Sequence, residues 1–205
     1  MKDKIRILLE VNTDVLTLLR ISSGIGWKEL RESSVHRIFY LSSVLYAFMK
    51  GHNRDAYKNY NFSLSVTGPY SEVIDRSLID LKSRELITED DSGNLVLKID
   101  ENAKYFKTIS THKIDWFKTI IYILGLYGES KIFGFVIQDP QYKNDFQRNS
   151  QISIDISDQN KTVQTLKEFK NAFEKTLNDV SQIDDKEYLE LYFEYVFAEI
   201  IKEEE

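Results

Sequence analysis

The sequence predicts a mostly α-helical chain with one small β-hairpin, and three observations predict it. Apolar residues recur at helical spacing over most of the 205 residues. Clear apolar/polar alternation is confined to two short stretches, 62–67 and 95–99. Between them lies one short helical pattern. Residues 60–100 therefore read as strand, tight turn, helix, hairpin, which is the layout of a winged helix. The expected organisation is N-terminal helices plus a winged-helix module over 1–101, then a C-terminal helical domain over 102–205.

Residues 3–21 carry Ile5, Leu8, Leu9, Val15, Leu16, Leu18 and Leu19 at helical spacing, with an expected break at Asn12-Thr13-Asp14. Ser22-Ser23-Gly24-Ile25-Gly26 reads as a loop. A second helix fits 34–49, where Val35, Ile38, Phe39, Leu41, Leu45 and Phe48 cover much of the circumference, so it is expected to be central. Lys50-Gly51 reads as its C-terminus, and 51–61 is polar and irregular.

In the winged segment Phe62, Leu64 and Val66 alternate with Ser63, Ser65 and Thr67. Gly68-Pro69 predicts the turn into the helix, because glycine tolerates unusual φ and proline fixes φ near the helical value. Ser71 is the expected N-cap, with Glu72 and Asp75 where the helix dipole favours acids. Ile74, Leu78 and Leu81 give the helix one apolar face, and it is expected to end near Leu86. Ile87 and Thr88, the turn Asp90-Asp91-Ser92-Gly93-Asn94, and Leu95 to Ile99 form the hairpin, or wing.

From 102 to 127 the pattern is helical again, with Phe106, Ile109, Ile114, Phe117, Ile121 and Leu124. Gly125 and Gly128 punctuate it. A short helix is expected over 129–137, ending at Gln138-Asp139-Pro140. Residues 143–157 are polar and predict a loop of the kind that orders on a partner. An amphipathic helix fits 162–178 through Val163, Leu166, Phe169, Phe173 and Leu177. The last helix fits 184–202, with Asp184 as cap and Glu187 completing a capping box. Its apolar residues cover more than one stripe, so it is either packed on several sides or offers an aromatic face to a partner.

Charge separates two uses of a winged helix. A DNA-reading helix presents cations to phosphates. This one sets Arg76, Lys82 and Arg84 against Glu72, Asp75, Asp80 and Glu85, and the wing adds Glu89, Asp90 and Asp91 against Lys98. The net charge is −6, unevenly placed: residues 151–205 hold 14 acids and 6 bases, a net of −8, and residues 1–150 hold 19 acids and 21 bases, a net of +2. Counterion release needs clustered positive charge, which this module does not supply. Protein docking is favoured over sequence-specific DNA reading. Tyr70, Arg76, Lys82 and Arg84 are the candidate residues of one docking face, and Tyr192, Tyr195 and Phe197 of another.

The chain has no cysteine, which excludes disulfides and thiol chemistry and suits a reducing cytosol. The segment MKDKIRILLEVNTD lacks the layout of a signal peptide, and no run approaches the length of a membrane span; the expected location is cytoplasmic. His36, His52 and His112 share no metal-ligand spacing, and His36 reads as a satisfied core or boundary residue. Gly24 and Gly26 make a G-x-G without a preceding strand or third glycine. The 90–94 turn lacks the later glutamate of a cation loop. No phosphate-binding, metalloprotease or nucleophile-elbow motif is present, so no catalytic, cofactor or metal residue is assigned and an enzyme is not expected.

Three stretches together carry a family likeness: HRIFYLSSVLYAFMKG at 36–51, VTGPYSEVIDRSLIDLKSRELI at 66–87 and LYGESKIFGFVIQDPQY at 126–142. In this order they resemble the small middle component of bacterial ABC three-component systems, which includes the C subunit of Lamassu anti-phage systems. The GPYS segment is also similar to the Panacea antitoxin-like domain. The resemblance covers roughly residues 30 to 145; the first helix and the last two match no motif of it. It implies a non-catalytic subunit without cofactor that bridges an SMC-like ABC ATPase to an effector, often a nuclease, as a kleisin's winged helix sits on an SMC head. Such a complex senses foreign DNA or DNA ends and releases the effector, with DNA contact by this subunit at most indirect or non-specific. The alternative is a winged-helix DNA-binding regulator or antitoxin, which needs a basic face from dimerisation or from Lys2, Lys4 and Arg6.

Overall fold

A computed structural model of the chain describes residues 2–49, 54–99, 109–147, 153–176 and 183–204. The described residues are mostly helical, with two small antiparallel sheets. In order they form α1 (Lys2–Gly24), α2 (Glu32–Tyr46), a 3₁₀ turn (Arg54–Tyr57), β1 (Phe62–Ser65), β2 (Gly68–Tyr70), α3 (Glu72–Ser83), β3 (Ile87–Glu89) and β4 (Leu95–Leu97). Then follow α4 (Thr111–Tyr127), α5 (Glu129–Gln138), α6 (Pro140–Gln147), β5 (Ser153–Ile154), α7 (Lys161–Thr176) and α8 (Asp185–Glu204).

The helix α2 is central, as its apolar circumference predicts. It packs against α4, α5, α7 and β2, and Val35, Ile38, Phe39, Tyr40 and Val44 are wholly enclosed. It ends at Tyr46, earlier than expected, and the predicted C-terminus at Lys50-Gly51 lies outside the described residues. On one side α1 packs on α3 and α4; on the other, α5 packs on α8 and α6 on α7.

The expected break in α1 does not occur. Asn12 and Asp14 lie within one continuous helix because each has buried partners elsewhere in the chain. Asn12 Nδ2 donates to Asp80 Oδ2 at 2.7 Å and Asn12 Oδ1 accepts from Ser77 Oγ at 2.7 Å, which fixes α1 to α3. A satisfied polar side chain no longer competes with the helix backbone.

The first hairpin differs from the expectation. The turn is Val66-Thr67, and Gly68-Pro69-Tyr70 forms β2 antiparallel to β1, with Leu64 opposite Pro69. The sheet order is β2-β1-β5, so Pro69 sits on an edge strand, where its missing N–H costs no ladder bond. Gly68 has φ +114, and a Cβ there would meet Arg37 Nε at 3.3 Å. The Arg37 guanidinium grips this turn, with Nη2 donating to the Thr67 carbonyl at 2.7 Å.

The predicted hairpin β3–β4 is present, with Thr88 opposite Val96. It forms its own sheet and does not join β1. Its turn is organised by Asp90, whose Oδ1 accepts from the N–H groups of Ser92 and Asn94 at 2.9 and 2.8 Å. The helix α3 stops at Ser83, short of Leu86. It closes in a Schellman arrangement: Leu86 N donates to Leu81 O and Glu85 N to Lys82 O, both at 3.0 Å. Glu85 takes the left-handed position at φ 57, where glycine is usual.

The polar loop expected over 143–157 is instead partly regular. Asp139 caps α6, its Oδ1 accepting from Tyr142 N at 2.8 Å, and Pro140 starts the helix. The Asp-Pro pair thus begins a helix. Ser153–Ile154 then pairs with β1 as β5, Ile154 opposite Phe62; residues 148–152 lie outside the described residues. The expected boundary at 101/102, and the start of the helix expected from 102, also fall outside them. Across it one apolar cluster draws on both sides, from Val15 and Phe39 to Phe117 and Phe193.

Candidate functional site

The first candidate face is α3 and what surrounds it. Tyr70 leaves β2 with its ring stacked on His36, centroids 5.1 Å apart and planes at 21°, and remains 37% exposed. His36 is buried, and its Nδ1 accepts from Ser71 N at 3.2 Å, which places the start of α3. Burial lowers the His36 pKa, against the pull of Asp75 and Glu32, so the ring is held as the neutral acceptor this bond requires.

The three cations of the face stand against carboxylates of the same chain. Arg76 pairs with Glu72 one turn before it. Lys82 Nζ lies 2.6 Å from both Glu32 and Glu89, joining α3 to the start of α2 and to β3. Burial opposes its charge, but the two carboxylates prevail and raise its pKa. Arg84 is 3.6 Å from Asp80. Exposed pairs of this kind add little stability, but they neutralise the field a phosphate would feel. Ile79 stands exposed among them.

The second candidate face divides. Phe197 packs inward, its ring 4.6 Å from Tyr127 and 6.4 Å from Phe135. Tyr192 and Tyr195 turn toward α7, 6.4 and 6.3 Å from Phe169. These two line a groove of 540 Å³ between α6, α7 and α8; Tyr192 is only 7% exposed, whereas Tyr195 is 57% exposed. The capping box that starts α8 forms as predicted: Glu187 N donates to Asp184 Oδ1 and Asp184 N to Glu187 Oε2, each at 2.9 Å.

Two buried polar clusters escaped the sequence reading. Asp139 accepts from the hydroxyls of Tyr40 and Thr162 at 2.6 Å each, tying α2 to α7. Asp14 accepts from the Tyr60 hydroxyl at 2.6 Å and from the Lys113 ammonium, which also donates to the Ala56 carbonyl at 3.0 Å and lies 4.9 Å from the Tyr57 ring centroid. Burial raises the Asp14 carboxyl, and Lys113 and Tyr60 draw it part of the way back. These groups edge a 600 Å³ cavity. Asp14 is bonded by both Tyr60 and Lys113, so the cluster acts as a tie between α1 and α4. Its signal in the sequence was an aspartate between Val11, Val15 and Leu18 on an apolar helix face.

Among the described residues, no three His, Cys, Asp or Glu side chains stand together as a metal site, and no single helix is long and apolar enough to cross a membrane. His52 lies outside the described residues. Comparison with protein-family models, with curated proteins and with solved structures returned no match.

Proposed function

We propose that this chain is a non-catalytic bridging subunit that links an SMC-like ABC ATPase to an effector nuclease in a cytoplasmic anti-phage or anti-plasmid defence complex. In this reading the α3 helix and the β3–β4 hairpin act as a winged helix that holds a protein. The remaining helices form the domain that carries the second partner. The reading draws on the likeness of residues 30 to 145 to the middle component of ABC three-component systems.

One observation supports protein docking above the others. Arg76, Lys82 and Arg84 each face a carboxylate of this chain, so a phosphate backbone would have to displace an internal partner at each of them. Tyr70 and Ile79 offer uncharged contact area beside these pairs. A winged-helix regulator or antitoxin makes the opposite demand. The separating experiment is a salt titration of the isolated protein with random duplex DNA. Bridging predicts no retention at near-physiological salt. Tight binding that weakens steeply with salt would favour the regulator.

A further inference from the structure

We propose that the groove between α6, α7 and α8 is a docking site for an acidic peptide segment of a protein partner. It deepens the bridging reading, on which it rests for the partner's identity but not for the chemistry.

Lys143 and Lys161 line the groove from the first turns of α6 and α7, and both are exposed. Lys143 Nζ donates to the neutral amide of Gln138. Neither lysine has a carboxylate partner among the described residues. On α3 and on α8 the pattern is the reverse: Lys82 is held by Glu32 and Glu89, and Lys202 lies 2.6 Å from Glu199. That last pair also partly neutralises the one acid on the groove wall. Two cations without a carboxylate partner among the described residues therefore face one hollow, and α7 and α8, which wall it, belong to the stretch whose 14 acids and 6 bases give a net charge of −8. A short acidic segment gains at the two lysines. A polyanion that runs on beyond them, such as DNA, meets the acidic surroundings and is repelled.

Tyr192 adds a polar group to the groove wall. The residue is only 7% exposed and it lines the groove. Burial, with Asp139 and Tyr195 nearby, keeps its hydroxyl well above the ordinary phenol range, so it remains a donor. A donor held in the wall suits an acceptor brought from outside. The N–H groups at the two helix starts are not available: Tyr142 N is bound by Asp139 and Lys161 N by Gln141 Oε1, each at 2.8 Å. Recognition therefore falls to side chains. Asn144 and Thr165 on the walls suit an extended backbone, and the exposed Tyr195 gives it an apolar surface.

The test uses the full chain and a fluorescein-labelled peptide in which glutamate alternates with leucine, with a lysine-for-glutamate control, read by fluorescence anisotropy. The acidic peptide is expected to bind with a Kd on the order of 10 μM, weakening with salt. The double variant Lys143→Glu, Lys161→Glu is expected to lose about tenfold or more. Both residues are exposed, so folding should be kept; if it is not, Lys143→Gln, Lys161→Gln serves the same purpose with a smaller loss. Equal binding of the two peptides, or wild-type affinity in the folded double variant, overturns the proposal. A complex with an ATPase that forms while the acidic peptide fails to bind sinks the groove alone. Peptide binding without any such complex sinks the bridging reading alone.

Discussion

The Tyr40 hydroxyl donates to the Asp139 carboxylate over 2.6 Å, and both side chains are buried. This bond joins the central helix α2 to the junction of α5 and α6, and Thr162 extends it to α7. Asp139→Ala leaves the two hydroxyls and the Tyr142 N–H without their acceptor. It is expected to destabilise the protein by about 3 kcal/mol. Tyr40→Phe removes one donor and is expected to cost about 1 kcal/mol. Urea unfolding measures both, and an Asp139→Ala midpoint equal to wild type contradicts the account.

His36 makes stability depend on pH. Burial lowers its folded pKa below the ordinary value, so the unfolded chain takes up the proton first as pH falls. Its contribution is therefore full above about pH 6.5 and is lost as pH drops from there toward the folded value. Asp14 and Asp139 run the other way. Burial raises both carboxyls, so each favours the folded state at low pH, and that advantage is lost as pH rises through its folded value. The readout is accordingly a difference. Between about pH 8 and about pH 5, wild type is expected to lose more stability than His36→Gln. Parallel pH profiles would remove His36 as the cause.

Lys113, itself partly buried, compensates the buried Asp14. Lys113→Met leaves the Asp14 carboxylate with the Tyr60 hydroxyl but no counter-charge and is expected to cost about 3 kcal/mol. Removing both charges, with Asp14→Leu beside Lys113→Met, is expected to cost less than Lys113→Met by itself, because no unpaired charge remains. Denaturant midpoints of the two variants decide it, and a double variant less stable than the single one goes against the argument.

Glu85 occupies a left-handed position at the end of α3. Glycine at that position has no Cβ to strain, so Glu85→Gly is expected to stabilise the protein by about 1 kcal/mol. Thermal unfolding reads the sign directly; a lower midpoint would mean that the Glu85 side chain does more than its exposed position indicates.

These residues also show which parts of the fold were legible in the sequence. The helices α7 and α8, the β3–β4 hairpin and the Asp184–Glu187 capping box follow from local spacing, because their causes lie within one or two turns. So does the burial of His36, an imidazole on an apolar helix face. The continuity of α1 was not legible, because what satisfies Asn12 and Asp14 is Ser77, Asp80, Tyr60 and Lys113, all distant in sequence. The strand β5 is two residues long and takes its identity from β1, so no period marks it. Gly68-Pro69 carried an ambiguous signal: the same dipeptide suits a turn or an edge strand, and Arg37 on a remote helix selects the second. Of the candidate residues, Arg76 and Lys82 lie on α3, Arg84 caps its end and Tyr70 lies on β2. Phe197 separates from Tyr192 and Tyr195 because α8 packs on both of its sides.

The central claim is that this chain holds other proteins together. The most direct test is co-purification of the tagged protein with the products of its neighbouring genes, followed by mass photometry. The account predicts a stable complex containing a large SMC-like ABC ATPase. A lone monomer or dimer that binds duplex DNA would contradict it.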